Sequence, residues 1–195
     1  MPRTSCTWLA PLVFAACATA PAGPRVRPAA WAQPVIGGAV RNWYRVDDAL
    51  YRCEQPSAAG MRALAAFGIR SVVNLREFHR DAGPAAGSGL TVIEVPLAAG
   101  DLDYAHLVDA LAAVVAAPKP VAVHCWHGSD RTGAVIAAWR VAIGGWAPAD
   151  ALDEMVAGGF GHSAWFDNLR QLIGELDPAR LCVDLAARTR TPPDG

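Results

Sequence analysis

One run of residues limits what this chain can become: Val121-Ala122-Val123-His124-Cys125-Trp126-His127-Gly128-Ser129-Asp130-Arg131-Thr132-Gly133. The β-branched alternation up to His124 reads as a short buried strand. The apolar run Ala134-Val135-Ile136-Ala137-Ala138-Trp139 reads as a buried helix that begins near Thr132. Between them lies a tight loop that opens with a thiol and closes with a guanidinium, with five residues between the two, one of them Gly128. A loop this tight turns backbone N–H groups inward and makes a nest for an anion. The helix that follows adds its positive end. Arg131 can grip two phosphate oxygens with one planar fork. The same positive field favours thiolate at Cys125, so the sulfur becomes a nucleophile aimed at whatever anion the nest holds.

Other chemistries fit less well. His124, Cys125 and His127 are metal-ligand types, but they crowd one loop and no second cluster accompanies them, so no metal or cofactor is expected. A buried structural cysteine would need neither Gly128 nor Arg131. A rhodanese-type sulfurtransferase loop lacks this Cys-to-Arg spacing and the Thr-Gly after it. The pattern His124-Cys125-x-x-Gly128-x-x-Arg131-Thr132-Gly133 resembles the signature of cysteine-dependent protein tyrosine and dual-specificity phosphatases. Tyr51-Arg52-x-x-Gln55-Pro56, then Gly68-Ile69 and Asn74-Leu75-Arg76, extend the resemblance to bacterial dual-specificity-like phosphatases and, more distantly, to enzymes that cleave inositol pyrophosphates. It runs from about Tyr51 to Asp177. Cys53 departs from it, standing where the relatives more often carry serine.

The resemblance implies a phosphomonoester hydrolase working through a cysteinyl-phosphate. Cys125 is the implied nucleophile. Arg131 and the loop 126–131 (Trp126, His127, Gly128, Ser129, Asp130) bind phosphate. Thr132 stabilises the departing thiolate and His124 orients the loop. An upstream aspartate should be the general acid. Asp101 and Asp103 are the candidates, and Asp103 stands where it would cap a helix, which favours Asp101. Asp130 is a third carboxylate, read as orienting Arg131. Arg76 is either a second anion contact or a solvated loop arginine. The expected substrate is a phosphorylated protein, with phosphotyrosine or broad dual specificity preferred. A phosphorylated small molecule or lipid (phosphoinositide, inositol pyrophosphate) is the alternative, and a non-catalytic phospho-ligand binder is the alternative of another class.

The rest of the chain suits one domain. It has 195 residues and a net charge of −1, with 18% charged residues, and no basic run that would suggest nucleic acid. Arg3 followed by the apolar stretch 8–16 reads as an export signal over 1–16. Phe14-Ala15-Ala16-Cys17 resembles a bacterial lipobox, which makes Cys17 a lipidation candidate. Cleavage after Ala18-Thr19-Ala20 is the alternative. The expectation is therefore an exported protein, membrane-anchored as a lipoprotein or free in the periplasm, and a monomer. Residues 17–37 read as a Pro/Ala-rich tether, 38–187 as the folded domain and 188–195 as a disordered tail. Of five cysteines, Cys53 and Cys182 have no assigned role; in an oxidising compartment they could pair or stay unlinked.

Strands are expected at 43–46, 50–53, 71–75, 91–95 and 121–124. Helices are expected after Ser57, after Asp103, from Thr132, from Pro148 with Asp150, Asp153 and Glu154 on its wet face, and finally after Ser163 with a stripe of Trp165, Leu169, Leu172, Ile173 and Leu176. Strands alternating with helices imply an α/β domain whose central, mostly parallel sheet is flanked by helices. They place the Cys125 loop at the carboxyl end of its strand.

Overall fold

The computed structural model describes residues 27–190. Twelve elements follow in order: β1 Gln33–Pro34, β2 Tyr44–Arg45, β3 Leu50–Cys53, α1 Ala58–Phe67, β4 Ser71–Arg76, β5 Thr91–Leu97, α2 Tyr104–Ala116, β6 Val121–His124, α3 Asp130–Ala142, α4 Pro148–Ala157, α5 Asp167–Gly174 and α6 Pro178–Arg190. The strands form one sheet in the order β1-β2-β3-β6-β4-β5. The pairs β3·β6, β6·β4 and β4·β5 are parallel, and β1·β2 and β2·β3 antiparallel. This is the mixed, largely parallel α/β sheet that the alternation implied.

Side-chain alternation along the strands sorts the core into two faces. Leu50, Val73, Val121 and Val123 join the large cluster with α2 through α6. Tyr51, Val72 and Ala122 join a smaller cluster with Met61 and Leu64 of α1. The strand β6 is central and fully buried, so its end is fixed from both sides. The caps act as read: the Ser57 side chain accepts from the Gly60 amide, and the Asp103 side chain accepts from the His106 amide to cap α2; Gly68 closes α1 at φ 107°.

Four readings need correction. The segment read as tether is packed from residue 27 onward. Its Ala32 is fully buried, its residues 33–34 form β1, and the Arg27 side chain donates to the Ala32 and Gly158 carbonyls. Glu154 is buried, not wet, because it receives the Arg140 guanidinium at 2.8 and 2.9 Å and the Ala32 amide at 2.5 Å. The helix expected from Ser163 starts only at Asp167, with Trp165 outside it and 92% exposed. It is followed by an unanticipated α6, which carries helix through Arg190 and into the segment read as a tail, where Arg188 reaches Asp109 at 2.9 Å. The export signal at 1–16, Cys17 and the last residues of the tail lie outside the described residues. Cys53 and Cys182 are unlinked, Cys53 buried and Cys182 exposed.

Candidate active site

The loop at the end of β6 is shaped by where its carbonyls go. The Cys125 carbonyl lies 3.0 Å from the His124 Nδ1, which donates to it. The Trp126 carbonyl accepts from the Gln55 amide at 3.1 Å, and the His127 carbonyl from the Asn42 side-chain amide at 2.8 Å. The Gly128 carbonyl accepts from Arg52 at 2.6 Å, and the Ser129 carbonyl from the Gly133 amide at 2.7 Å. Five consecutive carbonyls are thus tied to the scaffold. In a peptide unit the N–H points opposite to the C=O, so the next amides face the loop's interior. The amides of 126–129 donate to nothing else among the described residues. This is an anion nest in backbone terms, and Cys125, only 2% exposed, sits at its floor.

Two of the scaffold donors were not identified from sequence. Arg52 is fully buried, stacks on Phe160 at 3.6 Å and grips the outer side of the loop. Burial lowers its pKa to about 10 against the pull of Glu154, so it remains a cation beneath the nest. Asn42, in left-handed backbone at φ 48°, bridges the His127 and Phe160 carbonyls. Arg52 stands in the run Tyr51-Arg52-x-x-Gln55-Pro56 that carries the resemblance, but no local pattern gives either residue this role; the fold brings both to the loop. Gly128 is required twice over. Its φ is +71°, and a Cβ there would lie 2.3 Å from the Cys53 carbonyl oxygen.

Of the residues expected at the site, the fold brings together Cys125, Arg131, Thr132, His124 and the loop 126–130. Arg131 donates through Nη1 to the Leu97 carbonyl at 3.0 Å, while its buried Nε has no partner. The Nε–Nη2 edge, the one that binds oxyanions side-on, is therefore uncommitted. The Thr132 hydroxyl is likewise buried without a partner. Both orphaned groups suit a site that receives a ligand. Arg76 lies at the rim, its guanidinium 4.2 Å from the ring centroid of Trp126, which is 57% exposed. Its place is a stacked one, held further by Gln55 at 3.1 Å, and not that of a freely solvated arginine.

The three carboxylates separate cleanly. Asp103 caps α2 and lies 2.9 Å from the His106 ring; the backbone bond from His106 holds its carboxyl below the usual range. Asp130 does not orient Arg131 as read. Its Oδ1 accepts from the Ser163 amide at 2.8 Å and lies 2.9 Å from the His162 ring, so it anchors the segment after α4 against the loop. Asp101 is exposed and its carboxylate has no partner among the described residues. The chain just before it is held by Arg131 on the Leu97 carbonyl and by Asn168 on the Ala99 carbonyl, each at 3.0 Å.

Behind Cys125, on the α1 face, lies a residue that sequence reading passed over. Asp81 is fully buried and 2.5 Å from the His124 Nε2. Burial alone would raise its carboxyl, but the hydrogen bond and charge of His124, with Gln55 behind them, outweigh it and hold it low. Stability from this pairing is present above the ordinary carboxylate value and is lost as pH falls through the lowered one. Among the described residues no group of three or more His, Cys, Asp or Glu is arranged to hold a metal ion.

Comparison with known proteins agrees with this geometry. The model of the family Tc-R-P, described as "Polymorphic toxin system, DSP-PTPase phosphatase", matches residues 48–145. The dual specificity protein phosphatase TpbA of Pseudomonas aeruginosa is 33% identical over 175 residues, covering 80% of this chain and 78% of that protein. The crystal structure of TpbA superposes with a TM-score of 0.71 at 30% identity, over 83% of this chain and 99% of that one; a cysteine-to-serine form of TpbA, crystallised in complex with pTyr, matches equally well. The core catalytic domain of the PP-IP phosphatase SIW14 from S. cerevisiae shares the fold, at a TM-score of 0.65 and 20% identity over 78% of this chain and 95% of that one. The extent and identity of these matches place the chain in the DSP-PTPase family, the dual-specificity and tyrosine phosphatases.

Proposed function

We propose that this chain hydrolyses phosphotyrosine in proteins, and other accessible phosphomonoesters more slowly, through a cysteinyl-phosphate on Cys125. The observation that carries the reading is the set of five outward-tied carbonyls, which leaves a ring of free amides above a buried thiol. The relative crystallised with pTyr supports the same substrate class. The Cys125 thiolate attacks phosphorus, the S–P bond forms and the ester P–O bond breaks. The loop amides and the free edge of Arg131 hold the three equatorial oxygens as charge shifts among them. The leaving oxygen takes a proton from Asp101. Water then attacks phosphorus and gives its proton to Asp101, the S–P bond breaks, and the Thr132 hydroxyl donates to the returning thiolate. Inorganic phosphate leaves.

Asp101 takes the acid's role because Asp103 and Asp130 are already committed to other partners. In Asp101→Asn, turnover of substrates with poor leaving groups should fall about a hundredfold, while p-nitrophenyl phosphate, whose leaving group needs little protonation, falls far less. Equal losses on both would remove Asp101 from the role.

Trp126, exposed and backed by Arg76, offers a flat aromatic wall at the mouth, which suits an aryl ester. The test is a panel of phosphotyrosine and phosphoserine peptides, phosphoinositides and inositol pyrophosphates. Highest kcat/KM on phosphotyrosine supports the assignment, and highest kcat/KM on an inositol phosphate overturns it. We also read 1–16 as an export signal and Cys17 as a lipidated first residue. A diacylglyceryl group on Cys17 in membrane-extracted protein would be the mass-spectrometric sign of it.

A further inference from the structure

We propose that Asp81 is a positioning residue for the phosphatase reaction, holding His124 with both ring N–H groups donating and so fixing the carbonyl of the nucleophile from behind. The inference deepens the reading of Cys125 as the nucleophile and rests on it.

The two neighbours of the His124 ring are both acceptors. Nδ1 faces the Cys125 carbonyl at 3.0 Å and Nε2 faces an Asp81 oxygen at 2.5 Å. A carbonyl and a carboxylate can only accept, so the ring satisfies both only when each nitrogen carries its hydrogen. His124 and Asp81 are both fully buried, and a buried cation is held only beside a counter-charge. Asp81 is that counter-charge. Its other oxygen accepts from the Gln55 side chain at 2.9 Å, and the Gln55 oxygen in turn accepts from Arg76 at 3.1 Å. The contacts therefore run without a gap from the rim to the nucleophile, with donors converging on Asp81 from both sides: Arg76 donates to Gln55 and Gln55 to Asp81, while His124 donates to Asp81 and to the Cys125 carbonyl.

The register explains how distant residues meet. His124 lies beside Cys53 on β3 and Asn74 on β4, at the carboxyl ends of the parallel strands. Asn74 donates to Glu94 at 2.8 Å, and Glu94 accepts from the Asp81 amide at 2.8 Å, which pins the 77–89 loop under the sheet edge. The other groups facing the pair are accounted for. His79 lies 3.3 Å from Asp81 at the more open side. Glu94 accepts from the Asn74 side chain and from the Asp81 amide. Burial first, then the Asp81 charge, pushes the Cys53 thiol far up, so Cys53 stays neutral.

An asparagine cannot replace this aspartate. It offers one acceptor and one donor where Gln55 and His124 both donate. If Gln55 turns to accept, its amide then meets the Arg76 donor. His124 loses its counter-charge and its second proton, and the positive charge beside Cys125 goes with it. Arg131, Arg52 and the loop amides stay.

Two measurements test this. In Asp81→Asn, iodoacetamide alkylation of Cys125 at mildly acidic pH should slow about tenfold and recover to the wild-type plateau in alkali, and the acid limb of kcat/KM should move to higher pH by the same amount. A uniform loss at every pH with the midpoint unmoved would mean a merely structural role and overturn the proposal. The second measurement needs no variant: NMR of the wild-type His124 ring should show both nitrogens protonated at neutral pH, and a single-proton tautomer would overturn the proposal. Alkylation and NMR do not depend on turnover. They stand apart from the substrate panel, whose failure would instead overturn the phosphatase reading.

Discussion

Cys125→Ser should leave a folded protein that binds a phosphotyrosine peptide and does not turn it over. The exchange removes no volume of consequence at a site that is 2% exposed, so stability should change by no more than about 1 kcal/mol. The loop amides and Arg131 are untouched, so affinity should stay within a few-fold of the wild-type value. A serine hydroxyl in this nest has no general base beside it, since His124 points its ring away toward Asp81. The nucleophile is then lost, and kcat should fall on the order of 10⁴-fold or more. Thermal melting, peptide binding by calorimetry and p-nitrophenyl phosphate hydrolysis separate the three effects. Comparable turnover by wild type and Cys125→Ser would remove the cysteinyl-phosphate from the mechanism.

Gly128→Ala should be nearly as damaging, for a different reason. The added methyl would sit 2.3 Å from the Cys53 carbonyl oxygen and 2.8 Å from the Glu54 amide nitrogen, both backbone atoms of the adjoining strand end. No side chain can swing aside to relieve that contact, and φ of +71° is itself costly for alanine. The loop must lift off β3, breaking the Arg52 bond to the Gly128 carbonyl and with it the alignment of the amides. A stability loss of about 3 kcal/mol or more is expected, together with activity near background even in the folded fraction. Chemical denaturation with parallel assays below the transition checks both. Wild-type activity in Gly128→Ala would show that the loop's close approach to β3 is not what shapes the site.

The nest was legible in the sequence because its parts are contiguous. Thiol, glycine, guanidinium and helix start all fall within one run, and the chemistry of each constrains its neighbours. Asp103 as a helix cap was legible for the same local reason. What escaped were partners supplied by the fold from far along the chain. Arg52 shapes the loop through the Gly128 and Ser129 carbonyls and Asn42 through the His127 carbonyl, roles that no local sequence pattern announces. Asp81 sits in the polar, Gly-rich loop 77–89, where no local pattern marks one carboxylate as buried; only the fold closes over it. Glu154 followed the helical period of α4 onto a wet face, yet Arg140 and the Ala32 amide claim it, and a buried ion pair overrides periodicity. The Pro/Ala-rich segment misled by composition: Ala32 packs and Arg27 clamps, so low complexity did not mean a free tether. Helix α6 buries only Leu181 and Leu185, too thin a stripe to stand out, although Asp177 capping it through the Ala179 amide was a readable signal.

Crystals soaked with orthovanadate, a mimic of the phosphoryl transition state, test the central claim most directly. The oxyanion should sit over Cys125 Sγ, its equatorial oxygens within hydrogen-bonding distance of the amides of 126–131, with the Nε–Nη2 edge of Arg131 completing the ring. Vanadate bound elsewhere, or over Cys125 with loop carbonyls turned toward it, would contradict the account.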